Sequence, residues 1–325
     1  QHYKGKDGTV LQPKNIYAGN EGEEKDQTTW NYAADGVSIK TTTYFTYTAD
    51  RLTRSETCRD MDGTVKKSET IYTGDEGEEK ADYTYNYDFA GLVIKTTTKF
   101  SYNPDGSLAR SDTFKDKDGT VIKSYTLYFG EEGEEKAGKT FTYGTVDGEW
   151  KIKTLTEFVY TDGVLSESFT YRGLVNTDPK KSHTIYTGAE GEEKALTTYN
   201  YNYAGTEIKT TTKFIYASDG SLERSDTVKG EDGSVIKSQT YYTGAEGEEK
   251  ADYTYNYGNV KGVWDVKTAT KFIYAAYVLS QSMTYKGKDG TVLQSQTFYA
   301  GNEGEEKAQK TWNYSADGVS IKTTT

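Results

Sequence analysis

The chain has 325 residues and a formal net charge of −11, and it is rich in Tyr (30) and Gly (33) but poor in Pro (3), Met (2) and Cys (1). One cysteine excludes an intramolecular disulfide framework and a multi-cysteine zinc site, and an acidic chain does not suit a basic nucleic-acid-binding surface. No apolar run reaches the roughly 18 residues of a membrane helix, so we predict neither membrane insertion nor a nucleic-acid partner.

An internal repeat dominates the sequence. The segment Gly-x-Glu-Gly-Glu-Glu-Lys occurs six times at spacings of 55 to 58 residues, and an Ile/Val-Lys-Thr segment follows each copy. These markers predict a partial repeat over 1–25, five repeats over 26–80, 81–136, 137–194, 195–250 and 251–307, and a partial repeat over 308–325. Residues 3–43 match 285–325 almost one for one, so we expect a section of a longer polymer or a subunit whose ends join other subunits.

Each repeat is predicted to contain four strands, as the second repeat shows in chain order. Strict alternation over 82–87 places three tyrosines on one face, namely Tyr83, Tyr85 and Tyr87. A second strand over 94–102 carries on one face Ile94, Thr96, Thr98, Phe100 and Tyr102. Strands over 108–114 and 121–128 follow, and Asp-Gly pairs mark the hairpin turns. The pattern predicts an all-β fold of tandem four-stranded antiparallel repeats, each about 56 residues long.

The packing of the repeats is predicted from the last strand of each one. Small side chains there precede a large ring, as in Ser124, Thr126 and Tyr128, so one face would let a second sheet approach closely. Stacked repeats of this kind form an extended β-spiral, tube or solenoid. A β-propeller is the alternative, because four strands in about 56 residues also suit a propeller blade.

The turns resemble those of the tyrosine-aspartate (YD) repeat family, the tandem β-repeats of RHS and teneurin-like surface proteins. The family pattern is Tyr-Asp-x-x-Gly followed by a small or basic residue and Leu, and the segment Tyr-Asp-Phe-Ala-Gly-Leu at 87–92 is the nearest match. Looser matches begin at Tyr32, Tyr102, Tyr216 and Tyr314. The acidic loop is not a family feature. The resemblance implies a secreted or surface location, a long sheet spiralling into a shell or fibre, and a structural rather than catalytic role.

The acidic loops are the first candidate for chemistry. Each places three carboxylates within four residues, as in Glu76, Glu78 and Glu79. Calcium takes oxygen ligands and could crosslink such loops across stacked repeats. The spacing matches no EF-hand loop, however, and the simpler interpretation is a solvated, glycine-containing turn. We therefore expect no cofactor, with calcium as a weak candidate.

Catalysis is not predicted. It would need a nucleophile, a base and an orienting group in contact, but His183 and Cys58 occupy ordinary repeat positions and His2 lies near the chain end. No carboxylate pair stands apart from the repeat pattern as a glycosidase would require. The tyrosine rows and the four tryptophans (Trp30, Trp150, Trp264 and Trp312) suggest a glycan-binding platform as an alternative to cross-strand stabilisation.

The function predicted from these features is structural. We expect an extracellular or cell-surface protein that self-associates into a homopolymeric fibre, tube or sheath. Unpaired edge strands are templates for another strand, so the last segment, with Ile321 and Thr323, is predicted to join a further subunit. The Lys-Thr-Thr-Thr-Lys strands, such as 95–99, would meet the acidic loops of a neighbour. The alternative is a glycan- or protein-binding adhesin module, possibly propeller-like.

Overall fold

A computed structural model describes residues 13–33, 36–59, 61–231, 233–275, 277–301, 304 and 306–325, together with two short strands at 3–4 and 10–11. This part of the chain consists of strands, turns and bends and contains no helix, which confirms the predicted all-β fold. It accordingly holds no apolar helix long enough to cross a membrane. The chain divides into two compact units: unit 1 comprises residues 1–158 with 172–175, and unit 2 comprises residues 159–171 with 176–325.

The strands are numbered in chain order. The first half of the chain contains β1 (Tyr3–Lys4), β2 (Val10–Leu11), β3 (Pro13–Ala18), β4 (Lys25–Tyr32), β5 (Ile39–Thr48), β6 (Arg51–Cys58), β7 (Lys66–Thr73), β8 (Lys80–Tyr87), β9 (Ile94–Tyr102), β10 (Leu108–Phe114), β11 (Ile122–Phe129), β12 (Lys136–Val146) and β13 (Glu149–Thr161). The second half contains β14 (Val164–Tyr171), β15 (Lys180–Thr187), β16 (Lys194–Tyr201), β17 (Ile208–Tyr216), β18 (Leu222–Lys229), β19 (Val235–Thr243), β20 (Lys250–Val260), β21 (Val263–Ala275), β22 (Val278–Lys286), β23 (Val292–Ala300), β24 (Lys307–Tyr314) and β25 (Ile321–Thr324).

Strands that follow each other in the chain pair in antiparallel fashion within each unit. The pairing crosses the predicted repeat boundaries: Tyr72 of β7 lies opposite Ala81 of β8, and Tyr242 of β19 lies opposite Ala251 of β20. A β-propeller would instead divide its blades into separate sheets. The propeller alternative is therefore wrong within each unit, and the continuous meander fits an extended β-solenoid or spiral.

Each unit exposes both faces of its sheet in part. Every residue of β4 and of β8 is half-buried, without the alternation of buried and exposed residues that packing in two layers produces. Among the described residues, extensive contacts join only strands that are neighbours in the chain. Fully buried apolar side chains are few and include Cys58, Leu155 and Val266. Cross-strand pairs, rather than a deep core, therefore hold each sheet together.

The predicted close approach of a second sheet over Ser124, Thr126 and Tyr128 does not occur within unit 1, to which these residues belong. Tyr128 turns along its own sheet instead, and its hydroxyl lies 3.1 Å from Oγ of Ser111 on the neighbouring strand β10. Because the Tyr128 hydroxyl has its hydrogen-bond partner on β10, the small side chain of Ser111 leaves space for a ring of the same sheet rather than for a second layer.

The turn that resembles the YD pattern is closed by its aspartate and its glycine. Gly91 donates its N–H to the carbonyl of Asp88 at 3.0 Å, and Oδ1 of Asp88 accepts from the backbone N–H groups of Leu92 (2.9 Å) and Val93 (3.1 Å). Gly91 has φ +72°, and an added Cβ would lie 2.6 Å from the backbone nitrogen of Lys66. The backbone donors also lower the pKa of Asp88. Only glycine fits this position without displacing the preceding hairpin.

Candidate functional site: two faces and two strand ends

One face of each sheet carries a ladder of threonine hydroxyls, and we call it the hydroxyl face. In unit 1 the paired Oγ1 atoms lie 2.9 to 3.1 Å apart in Thr43–Thr57, Thr70–Thr84, Thr98–Thr113 and Thr126–Thr140. In unit 2 they lie 2.9 to 3.0 Å apart in Thr184–Thr198, Thr212–Thr227, Thr240–Thr254, Thr270–Thr284 and Thr297–Thr311. These cross-strand contacts repeat with the sequence and stabilise each sheet.

Tyrosines border the hydroxyl ladder and bond to it in every repeat. The phenol of one strand lies 3.0 to 3.1 Å from a serine hydroxyl of the preceding strand in Ser55–Tyr72, Ser111–Tyr128, Ser168–Tyr186, Ser225–Tyr242 and Ser282–Tyr299. Tyr102 and Tyr216 each donate their hydroxyl at 2.8 Å to a backbone carbonyl, that of Ala81 and Ala195 respectively. Partial burial raises the pKa of both phenols.

The opposite face, which we call the aromatic face, carries rings, cations and carboxylates. Tyr83 and Tyr85 stack with ring centres 6.4 Å apart, and Nζ of Lys99 lies 5.6 Å from the centre of the Tyr83 ring. Tyr87 donates its hydroxyl to Glu69 at 2.9 Å. The three predicted tyrosines thus belong to one face, and their role in assembly stays a prediction. Cation–π and stacked pairs of this kind stabilise a half-exposed sheet surface.

The aromatic face varies between repeats, unlike the hydroxyl face. Equivalent positions hold Glu69, Tyr125, His183, Gln239 and Gln296. His183 stacks on Phe169 at 4.3 Å between ring centres, and its Nε2 lies 2.9 Å from a carboxylate oxygen of Glu167. Cys58 is fully buried and its thiol lies 3.5 Å from the carbonyl of Gly63. Each variant position has its own neighbouring partner, and His2 lies outside the described residues.

In five of the six acidic loops, the last glutamate binds the backbone of the preceding hairpin. Glu135 accepts from the N–H of Leu108 at 2.7 Å through Oε1 and from that of Gly133 at 3.0 Å through Oε2. The same contact at 2.8 to 3.0 Å joins Glu79 to Leu52, Glu193 to Leu165, Glu249 to Leu222 and Glu306 to Leu279. The donated N–H of Leu108 lowers the pKa of Glu135. This glutamate is therefore a structural link.

The lysine that ends one acidic loop pairs with the loop of the next repeat. Nζ of Lys80 lies 2.6 Å from the carbonyl of Gly106 and 2.7 Å from a carboxylate oxygen of Glu132. The equivalent pairs are Lys25–Glu76 at 2.7 Å and Lys194–Glu246 at 2.5 Å. The sequence contains no signal that this lysine meets a glutamate of the next repeat rather than one of its own loop.

Calcium binding gains no support from this geometry. Glu76 pairs with Lys25, and Glu79 accepts from backbone N–H groups. Glu78 is exposed in the loop between them. No group of three or more His, Cys, Asp or Glu side chains in the described part of the chain is placed to hold a metal ion. Calcium at Glu76, Glu78 and Glu79 stays a weak prediction.

The four tryptophans form two matched pairs. Trp150 and Trp264 each donate the indole N–H at 2.9 Å to a backbone carbonyl two strands away, that of Ile122 and Ile236 respectively. Both rings stay exposed, to 41% and 51%. Trp30 and Trp312 lie under lysine side chains on the aromatic face. Trp150 also has a lysine over its ring, with Nζ of Lys115 at 3.4 Å from the ring centre, so Trp264 is the more accessible of the two fixed indoles. An exposed, fixed indole is the feature of this chain that most favours stacking on a sugar.

The two terminal residues predicted to act in assembly lie on β25. Ile321 pairs with Tyr314 of β24, and Thr323 pairs with Asn313. The Asn313 side-chain amide donates to Oγ1 of Thr323 at 3.2 Å. This bond repeats the one between Asn31 and Thr41, so β25 has the geometry of an internal strand.

No protein-family model matches the sequence, and no curated protein matches it. Among solved structures, the chain is similar to a chain of the Photorhabdus luminescens Tc holotoxin pore, with 11% identity, a TM-score of 0.37, and coverage of 95% of this chain and 16% of that one. It is similar to a chain of the TcdB2–TccC3 crystal structure, with 12% identity, a TM-score of 0.31, and coverage of 96% and 20%. A porin-like protein from Bacteroides uniformis gives 11% identity, a TM-score of 0.26, and coverage of 68% and 90%. The chain thus spans at most a fifth of these toxin chains.

Proposed function

We propose that the chain is a structural subunit or segment of an extracellular fibre, tube or sheath. The observation that supports this proposal is the recurrence of the same contacts at the same positions from repeat to repeat. The serine–tyrosine pair and the glutamate link to the preceding hairpin each occur five times. Enzymes concentrate unusual residues at one place, whereas here the whole array is the functional unit.

The mechanism of assembly follows from incomplete burial. Strands such as β4 and β8 leave both faces half-exposed, and the burial of apolar surface is the main favourable term in protein association. Further copies would cover this surface. Because the repeats are nearly interchangeable, a contact between two copies can recur along the array. A contact that does not close on itself extends into a filament.

Negative-stain microscopy of the purified chain tests this function. We expect threads, tubes or sheets of uniform width, and we expect their formation to depend on protein concentration. A solution of single particles at every concentration would contradict the proposal. Two repeats expressed as a separate chain are not needed, because the full chain carries every contact under test.

Glycan binding is a second candidate, supported by Trp264. Its indole N–H is held by the backbone carbonyl of Ile236 while the ring stays exposed. Tryptophan fluorescence during titration with oligosaccharides would test it. We expect Trp264→Ala to abolish a sugar-induced change and Trp312→Ala, whose ring contacts Phe298 and Lys310, to retain it. If wild-type fluorescence does not change, this candidate fails.

A further inference from the structure

Almost every strand pair contains a β-bulge, an extra residue on one strand that has no partner opposite it. One example lies between β8 and β9. Asn86 pairs with Thr96 and Tyr87 pairs with Ile94, which leaves Lys95 as the extra residue. Bulges re-aim a side chain and interrupt the ladder locally. Lys95 is exposed.

The bulges at one end of the strands nearly all carry lysine. We call these residues the bulge lysines, and the strand end where they lie, opposite the acidic loops, the lysine end. In unit 1 they are Lys40, Lys67, Lys95, Lys123 and Lys153. In unit 2 they are Lys181, Lys209, Lys237, Lys267 and Lys322. All ten are exposed. The one other bulge at this end in the described residues holds Gln294.

Bulge geometry does not itself require lysine. At the acidic end of the strands, the bulge residues are Gln27, Thr53, Asp82, Ala109, Gly138, Leu196, Glu223, Asp252, Ser280 and Gln309. These ten bulge positions hold acidic, amide, hydroxyl and aliphatic side chains as well as glycine. Backbone conformation alone therefore does not explain a lysine at ten of eleven positions on the other end.

The bulge lysines at one strand end and the acidic loops at the other recur with a common period. The aspartates at the lysine end, such as Asp88 and Asp116, accept backbone N–H groups within their own turns. Strands in a sheet lie about 4.8 Å apart, so a lysine on every second strand recurs at about 10 Å. An acidic loop on every fourth strand recurs at about 19 Å. Two bulge lysines therefore correspond to one acidic loop in every repeat. The exposed carboxylates of such a loop include Glu78 in the first full repeat and Glu134 in the second.

We propose that the bulge lysines bind the acidic loops of a second copy of this chain. Charge and period identify this partner. A second copy presents carboxylates at the same repeat length as the bulge lysines, so a contact made at one repeat stays in register at the next. Opposite charges arranged in this way set partner choice and orientation. The inference rests on the proposed function and adds the contact that joins neighbouring chains.

A variant of the full chain with four bulge lysines neutralised, which we call the row variant, tests whether these lysines join two copies. It carries Lys181→Gln, Lys209→Gln, Lys237→Gln and Lys267→Gln, and Gln294 shows that a bulge at this end accepts glutamine. The matched control loses the same charge through Lys99→Gln, Lys139→Gln, Lys213→Gln and Lys310→Gln. Sedimentation velocity at about 0.02 M salt measures self-association. We expect the row variant to associate at least about tenfold more weakly than wild type, and the control less than about twofold.

A charge exchange makes the test specific. One variant carries glutamate at the same four bulge positions (Lys181, Lys209, Lys237 and Lys267), and the other carries Glu78→Lys, Glu134→Lys, Glu192→Lys and Glu248→Lys. Neither is expected to associate alone, and their equimolar mixture is expected to regain association. Circular dichroism confirms that both fold. If the mixture stays apart, or if row and control variants weaken association equally, the inference is wrong.

Two further results separate this inference from the proposed function. If the neutralised row variant forms the same threads as wild type, the lysine contact is wrong and the structural function stands. If wild type binds soluble polyglutamate but never itself, both are wrong. An absence of any self-association at low salt also overturns both.

Discussion

The two strand ends of the sheet use charge differently. At the acidic end, Glu135 reaches the backbone of Leu108 in the preceding hairpin and Lys80 reaches Glu132 in the following repeat. At the lysine end, Asp88 bonds within its own turn, while the bulge lysines are exposed. The acidic residues therefore serve largely to join neighbouring hairpins and repeats inside the chain. The acidic loops, which are the more obvious charged feature of the sequence, have a structural role. The bulge lysines are the candidates for contact with a partner.

The largest effect should come from the first glycine of an acidic loop. Gly130 has φ +117°, and an added Cβ would lie 2.7 Å from the carbonyl oxygen of Glu134. We expect Gly130→Ala to destabilise the chain by about 3 kcal/mol, because both strain and overlap must be relieved. Gly133 has φ +86° with open space around it, so Gly133→Ala should cost about 1 kcal/mol. Urea denaturation measures both, and equal effects would contradict the account.

The glutamate link gives the next largest effect. Glu135→Gln weakens the acceptor for the Leu108 and Gly133 N–H groups, so we expect a lower unfolding midpoint and faster hydrogen exchange at the Leu108 amide. The neighbouring Glu134→Gln is the control, since the side chain of Glu134 is exposed. If hydrogen exchange at the Leu108 amide is unchanged in Glu135→Gln, then Glu135 does not link its loop to the preceding hairpin.

Acid should loosen this same link. Backbone N–H groups lower the pKa of Glu79 and Glu135 below the value in the unfolded chain. The unfolded state then binds more protons, so stability is present above the unfolded pKa, about 4.3, and is lost as pH falls through the folded pKa. Thermal unfolding between about pH 7 and pH 3 should show this fall, and a smaller one in Glu135→Gln. Greater stability at low pH would be incompatible with the link.

The smallest effect on stability is expected at the bulge lysines. Lys209→Gln and Lys237→Gln leave the bulge backbone in place, as Gln294 does at the equivalent position, and surface substitutions usually change stability little. Their unfolding midpoints should match wild type within error, whereas self-association should weaken. A marked destabilisation would mean that these lysines belong to the fold, as the acidic loops do.

Much of the fold follows from local pattern in the sequence. Alternation at Tyr83, Tyr85 and Tyr87 predicted one face of β8, and the glycine of the Tyr-Asp-x-x-Gly segment predicted the turn at Gly91. These features depend on residues within a few positions of each other, which is the range over which pattern carries information.

The contacts between residues far apart in the sequence could not be predicted in the same way. Nothing near Glu79 in the sequence indicates that it binds Leu52, which is 27 residues earlier, and identical loops do not show which one Lys80 will meet. The hydrogen-bond partner of Tyr128 could not be predicted for the same reason, because a ring beside small residues suits a second sheet as well as Ser111 of its own sheet. Bulges depend on strand register, which a single strand does not reveal.

The central claim, that the repeats build material by associating with further copies, is tested most directly by sedimentation velocity on wild type over a wide concentration range. At about 0.02 M salt we predict a sedimentation coefficient that rises with concentration, and at about 0.5 M salt, where charges are screened within a few ångströms, a much weaker rise. A single species of monomer mass at all concentrations and both salt levels would contradict the account.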